Sequence, residues 1–508
     1  MATALSEQLT ASFGAFQVAA GKHRLEMRVS LPGKGSGTKH MLRAWVSGIV
    51  DHLESLDARV ANWEHRRQLF KQITTDCRRA GLHVTANAVE QLADGQQQLA
   101  PCHVGLIFHF NKQGSDSQKV SLTQARRLAL MLEAYPQLRP LVVGIDAAGY
   151  ERGTPPRAFS PAYAFLQSFE DKYRPHPGED EVKLGYTFHV GEDVSDFLVG
   201  LRHVEEVARF LLPKSGGRLG HGLILGESPT RFYHIRGGKT EPTFGEYLLS
   251  LIWAWGSLYG DNEVVGAKKV RDWIDDLQPG LNHGDLHRCY KAMIRPSSQT
   301  AEAPQPVLPS ECESLKFAKL EAEIKELFPK EARQAADIRW QERITVRPAP
   351  DDMHVLKLLQ ETLRVRLTKR RLFIEVNPSS NLLMGGYQSF GDLPYQVMQT
   401  EGLGLTINTD DPGMFMTTLP NEFATMYQGL KEGGMSDPEA RRWLDQCRDD
   451  AKASTFLPAR VPLMVICGEQ RHHLSRIFSG QIEKHPHPRL AATRQELWTS
   501  ADSVAWGV

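Results

Sequence analysis

Residues 185–193, GYTFHVGED, run directly into VSDFLVGLRHVEEVARFLL at 194–212. The first six form a short apolar run of strand length. In the second stretch Phe197, Leu198, Leu201, Val204, Ala208 and Leu211 recur at the spacing of one helical face. A strand feeding a helix through a few polar residues is the repeating unit of a parallel α/β sheet. Asp193 or Ser195 is the expected helix cap, because a short oxygen-bearing side chain accepts the first free amides.

Working outward, further apolar runs fall at 25–31, 103–110, 140–146, 218–220, 372–376 and 405–409, giving seven candidate strands with 185–190. Ser436 and Glu439 have capping-box spacing ahead of a helix through Lys452. Residues 223–371 separate the fifth and sixth strands, far beyond an ordinary connection. They hold an aromatic segment (Trp253, Trp255, Tyr259), a Pro/Ser-rich linker at 295–309 and charged helical sequence, and read as an inserted helical subdomain.

The composition suits such a fold. Of 508 residues, 41% are hydrophobic and 24% charged, which permits a substantial core and excludes wholesale disorder. Lys plus Arg equals Asp plus Glu at 60 each, so the chain is not organised as a polycation for nucleic acid or an anionic membrane. Cys77, Cys102, Cys289, Cys312, Cys447 and Cys467 contain no C-x-x-C pair, which argues against a zinc ribbon or disulfide framework and for a reducing cytoplasm. No apolar run approaches membrane-spanning length. The N-terminus lacks the basic-then-apolar pattern of a signal peptide. A soluble cytoplasmic protein is expected.

The residues able to do chemistry cluster just after the strands, where a parallel barrel places its active site. His189 ends one strand, with Glu192 three residues on. His221 lies between glycines in RLGHG (218–222), and Asp410 and Asp411 follow a strand in LTINTDDPGMF (405–415). Paired carboxylates at such a place are costly unless a metal or a hydrogen-bonding ligand neutralises one. Each has a plain reading alone: a buried histidine, a turn histidine and a helix-capping Asp pair. IDAAGYE (145–151) and IEVNPSSN (374–381) are strand-to-turn segments suited to lining a pocket with backbone.

In this order, IDAAGYE, HVGED, RLGHG, EVNPSSN and NTDDP resemble the adenosine deaminase family of metal-dependent amidohydrolases. Pro420-Asn421-Glu422-Phe423 and AKASTFLP (451–458) extend the likeness, which covers about 25–458 apart from the insertion. The resemblance implies an α/β (β/α)8 TIM-like barrel, seven of its eight strands visible, with one zinc ion. The barrel would then occupy 1–222 and 372–480, flanking the insertion at 223–371, with a polar tail at 481–508. His189 and Asp410 would be metal ligands and Glu192 the proton donor to a purine ring. His221 would orient the attacking water, Asp411 would hydrogen-bond the base, and Gly149 would meet it through its backbone.

The family's first strand carries His-x-His, two further zinc ligands, and none precedes 25–31 here; HRLEMRVSL (23–31) looks like the family's second strand. HPH at 485–487 has the spacing, but its prolines argue against a barrel strand. The expectation is therefore the C-terminal portion of a longer deaminase; a member that has lost catalysis, or a strand supplied by a partner chain, would also account for the gap. The long insertion resembles the enlarged adenosine-deaminase-like proteins of bacterial antiphage systems, which implies a homo-oligomer or larger defence assembly.

Several features are set aside. GKGSGTKH (33–40) lacks phosphate-loop spacing. His109 reads as a barrel-interior residue, and Lys369-Arg370-Arg371 as a solvated cluster at a helix end. The expected function is zinc-dependent hydrolytic deamination of adenosine or a related 6-aminopurine nucleoside or nucleotide. The rivals are a catalytically impaired barrel scaffold that assembles through the Trp-rich insertion, and another amidohydrolase reaction on a cyclic amine or amide.

Overall fold

The computed structural model describes residues 24–30, 103–112, 114–134, 139, 142–172, 183–213, 216–260, 264–295, 324–411 and 414–457. Each predicted apolar run coincides with a strand: β1 (Arg24–Ser30), β2 (His103–Lys112), β3 (Val142–Gly149), β4 (Gly185–Val190), β5 (Arg218–His221), β6 (Phe373–Val376) and β7 (Gly404–Ile407). Between and after them lie α1 (Ser117–Ala134), α2 (Ser160–Lys172), α3 (Phe197–Glu206), α4 (Pro229–His234), α5 (Phe244–Gly260), α6 (Val264–Leu277) and α7 (His283–Ile294). The series continues with α8 (Lys330–Arg339), α9 (Asp352–Lys369), α10 (Pro378–Met384), α11 (Tyr395–Thr400), α12 (Leu419–Glu432) and α13 (Asp437–Ser454).

The chain forms two compact units, and β2 and β3 contribute to both. One comprises 1–108, 132–143 and 456–508. Within it β1 neighbours β2. Ile107, Val143 and Leu457 form its buried apolar cluster, and the Phe456 amide donates to Glu26 at 2.6 Å.

The other unit comprises 109–131 and 144–455 and holds the predicted site. Its strands follow the order β2-β3-β4-β5-β6-β7, and β3 to β7 pair in parallel. The register places Phe188, Leu219, Ile374 and Leu405 in one row across four strands, and all are fully buried. Strand side chains alternate between faces, so the intervening residues share the opposite face. That face is polar: Thr187 donates to Glu375 at 2.9 Å, and Arg218 pairs with Glu375 at 2.7 Å. His189 lies on it one step beyond Thr187 in alternation. Among the described residues no strand pairs with the far edge of β7. There the Leu405 amide instead donates to the Asp450 carboxylate on α13, at 2.9 Å.

The helix after β4 forms as expected but has a different cap. Asp196, not Asp193 or Ser195, occupies the N-cap and accepts from the Leu198 amide at 2.9 Å. Asp193 is drawn off by Arg152 at 2.9 Å, and Ser195 donates to Glu246 at 2.9 Å. Buried Asp196 is further satisfied by the hydroxyls of Tyr233 and Thr240. The helical pattern to Leu212 continues past α3 as one π-helical turn, Val207–Leu211. Ser436 and Glu439 make the expected capping box.

Helices α4 to α9 derive from 223–371 and belong to the second unit. Trp253 and Trp255 are buried in it, with the Trp253 indole donating to Glu205 at 2.7 Å, while Tyr259 is half exposed. Cys289 and Cys447 are buried free thiols. Lys369 ends α9, and Arg370 donates to backbone carbonyls of Ala208 and Pro213, so this cluster is partly structural. Among the described residues no helix is long and apolar enough to cross a membrane. Cys77, Cys102, Cys312 and Cys467, the 33–40 loop, linker residues 296–309, HPH at 485–487 and the 481–508 tail lie outside the described residues.

Candidate active site

The predicted residues converge where β4, β5 and β7 end. His189 is the penultimate residue of β4. Gly220, opposite it on β5, leaves room for its ring: a Cβ there would sit 3.0 Å from His189 Cγ. His221 ends β5 with φ 62°, and Asp410 lies beyond β7 with φ 55°. Left-handed backbone is unfavourable for residues with a side chain and persists where surroundings impose it, commonly at functional sites. The backbone therefore aims both side chains at a conformational cost.

His189 Nδ1 lies 3.1 and 3.0 Å from the two Asp146 oxygens. Asp146 is fully buried and also accepts from the Ala147 amide at 2.7 Å. A carboxylate on one imidazole nitrogen fixes the ring and leaves Nε2 as the outward donor, the usual second-layer support of a metal-bound histidine. His109 adjoins this pair, with Nδ1 3.7 Å from Asp146.

One potential ligand atom from each of His189, His221 and Asp410 lies within 4.8 Å of the others. His221 Nε2 is 3.9 Å from Asp410 Oδ2. These three residues could hold a metal ion, and two imidazoles with one carboxylate suit a borderline transition metal.

Asn381 on α10 orients the remaining groups. Its Oδ1 accepts from the Tyr395 hydroxyl at 2.7 Å and the Asn377 amide at 3.2 Å, which turns its NH2 toward the site. That NH2 lies 2.7 Å from His221 Nδ1 and 3.1 Å from Glu192 Oε1. The Asn377 side-chain NH2 lies 3.3 Å from Nδ1 and 3.4 Å from Nε2 of the same ring. Glu192 Oε1 also approaches His221 Nδ1 at 3.2 Å. Burial, with the charges of Asp410 and Glu151, pushes the Glu192 carboxyl up to about 8.

Two buried ions lie behind this group. Lys112 at the end of β2 donates to the His189 carbonyl at 2.6 Å. Burial lowers its pKa against the charges of Glu151 and Asp146. Glu151 accepts the Gly191 amide on both oxygens, at 2.9 and 3.0 Å, and the Glu192 amide at 3.2 Å. Burial pushes its carboxyl up, but His203, Lys112 and the Gly191 amide outweigh burial and hold it at about 2.

His189, Glu192, His221 and Asp410 thus come together. Asp411 is exposed, and its Oδ1 accepts from the Met414 amide at 3.1 Å, capping the turn after β7. Gly149 ends β3 in an exposed position with φ 112°, which needs glycine. Sequence reasoning missed the side chains of Asp146, Glu151, Asn377 and Asn381, although all four stand in motifs it had marked as backbone lining. It also missed Lys112, beyond the predicted end of β2.

A family model described as adenosine deaminase matches residues 341–459. An adenosine deaminase of Plasmodium gallinaceum is 31% identical over 78 residues, 15% of this chain and 22% of the relative. An aminodeoxyfutalosine deaminase of Streptomyces coelicolor is 38% identical over 77 residues, 15% of this chain and 20% of the relative. The chain therefore spans about a fifth of the length of these curated relatives. An adenine deaminase structure from Arthrobacter aurescens aligns with TM-score 0.40 and 13% identity, over 94% of this chain and 80% of that one. Over the matched segment, which contains Asn381 and Asp410, the chain is adenosine-deaminase-like.

Proposed function

We propose that this adenosine-deaminase-like chain catalyses hydrolytic deamination of a 6-aminopurine, either adenosine or a related nucleoside or nucleotide, with zinc held by His189 and Asp410. The observation that carries this reading is the convergence of His189, Glu192, His221 and Asp410 at the ends of parallel strands, with a buried carboxylate behind His189. When bound, the zinc supplies a Lewis acid that makes water acidic enough to attack near neutral pH. Asp146 holds the His189 ring. His221, its Nδ1 occupied by Asn381, directs Nε2–H toward the attacking water. Glu192 delivers a proton to ring nitrogen N1 as water adds at C6; the proton the water gives up passes to the amino nitrogen, the C6–N bond breaks and ammonia leaves, and the C6 hydroxyl returns its proton to Glu192 as the carbonyl forms. Asp411 hydrogen-bonds the base, and Gly149 meets it through its backbone amide.

The test is ammonia release from adenosine, adenine and adenosine monophosphate by the purified chain with added zinc. Release that depends on both zinc and Glu192 supports the reading. A zinc-loaded chain inert toward all three would remove it in favour of the non-catalytic scaffold.

A further inference from the structure

We propose that Glu151 is a positioning residue: its carboxylate clamps the turn after β4 and thereby sets where Glu192 points. The argument begins with the turn. Gly191 has φ 83°, and a Cβ there would meet Ile224 Cγ2 at 2.9 Å, so the chain reverses in a conformation few residues could take. Such a turn leaves its own amides without ladder partners. Those of Gly191 and Glu192 both point at Glu151, at 2.9–3.2 Å. The acceptor is a buried carboxylate, 5% exposed, so these charge-assisted bonds are sheltered from water.

Glu151 is in turn surrounded. His203 Nδ1 on α3 lies 3.8 Å from Glu151 Oε1, and its Nε2 lies 3.8 Å from Glu246 Oε1 on α5. Lys112 grips the other end of the same segment through the His189 carbonyl. His189 and Glu192 are thereby fastened through their backbone, by two buried charges outside the proposed ligand set. The remaining freedom of Glu192 is its own side chain, which Asn381 steadies at 3.1 Å.

The catalytic part of this inference rests on the deaminase reading; the clamp itself does not. The experiment is residue-resolved amide hydrogen exchange on the full chain and on Glu151→Gln, with steady-state kinetics of both. In the wild-type chain the Gly191 and Glu192 amides should exchange slowly. In the variant their protection should fall at least tenfold, while amides in β5 and β6 keep theirs. On the deaminase reading, kcat should fall about 10–100-fold with KM changed less than threefold, because a proton donor displaced by about an ångström fails mainly in the reaction step. Fast exchange at both amides in the wild type, a result independent of the variant's folding, overturns the clamp. Unchanged protection in the variant overturns it too, as does full kcat after protection is lost. An inert wild-type chain with protected amides defeats the deaminase reading and leaves the clamp standing.

Discussion

His221 and Asp410 face each other at 3.9 Å, each held in left-handed backbone conformation, the first at the end of β5 and the second in the turn beyond β7. At Asp410 the side chain opposes the backbone: glycine would suit the conformation better and would have no ligand. With zinc removed from both, Asp410→Gly should therefore lie within about 1 kcal/mol of the wild type in urea unfolding. Its zinc content by elemental analysis should nevertheless fall to near zero.

Glu192 behaves differently, because it is not among the proposed ligands. Glu192→Gln should abolish ammonia release while zinc content matches the wild type. Wild-type rates in that variant would take Glu192 out of the mechanism.

Asp146 acts through His189. Asp146→Ala removes the acceptor that fixes the imidazole, and the loss of such support typically weakens metal affinity about 10–100-fold. Competition with a chelator measures this directly. Affinity equal to wild type would mean that Asp146 only fills space.

Glu151 also predicts an acid limit. Its carboxyl is held at about 2 in the folded chain against an ordinary 4.5. A depressed folded value means that its contribution is complete above the ordinary value and is lost as pH falls toward 2. Between pH 5 and 3 the wild type should lose unfolding free energy faster than Glu151→Gln, whose amide does not titrate. Parallel pH profiles from urea melts would contradict this.

The strands were legible because their buried rows are unbroken. Phe188, Leu219, Ile374 and Leu405 lie in short apolar runs bounded by polar turns. The gathering of His189, His221 and Asp410 at strand ends was legible too, since they follow those runs. What escaped reading was the choice among neighbouring oxygens and the work of side chains inside glycine- and asparagine-rich motifs. Asp193, Ser195 and Asp196 are all chemically able to cap α3, and contacts distant in sequence assign them: Arg152 takes the first and Glu246 the second. Asn381 looked like turn material. Its role depends on Tyr395 and on the Asn377 amide, which orient its NH2 toward His221. Glu151 meets the Gly191 and Glu192 amides only because the chain turns after β4 with neither amide in the sheet ladder.

The bond from the Leu405 amide to Asp450 bears on how this molecule behaves in concentrated solution. A strand edge with free amides is a template on which other extended chains can add. On β7 one of those amides is already taken by an acid from a neighbouring helix, and an incoming chain would have to displace a charged group. One side chain on α13 thus gives part of this sheet edge a guard against self-association.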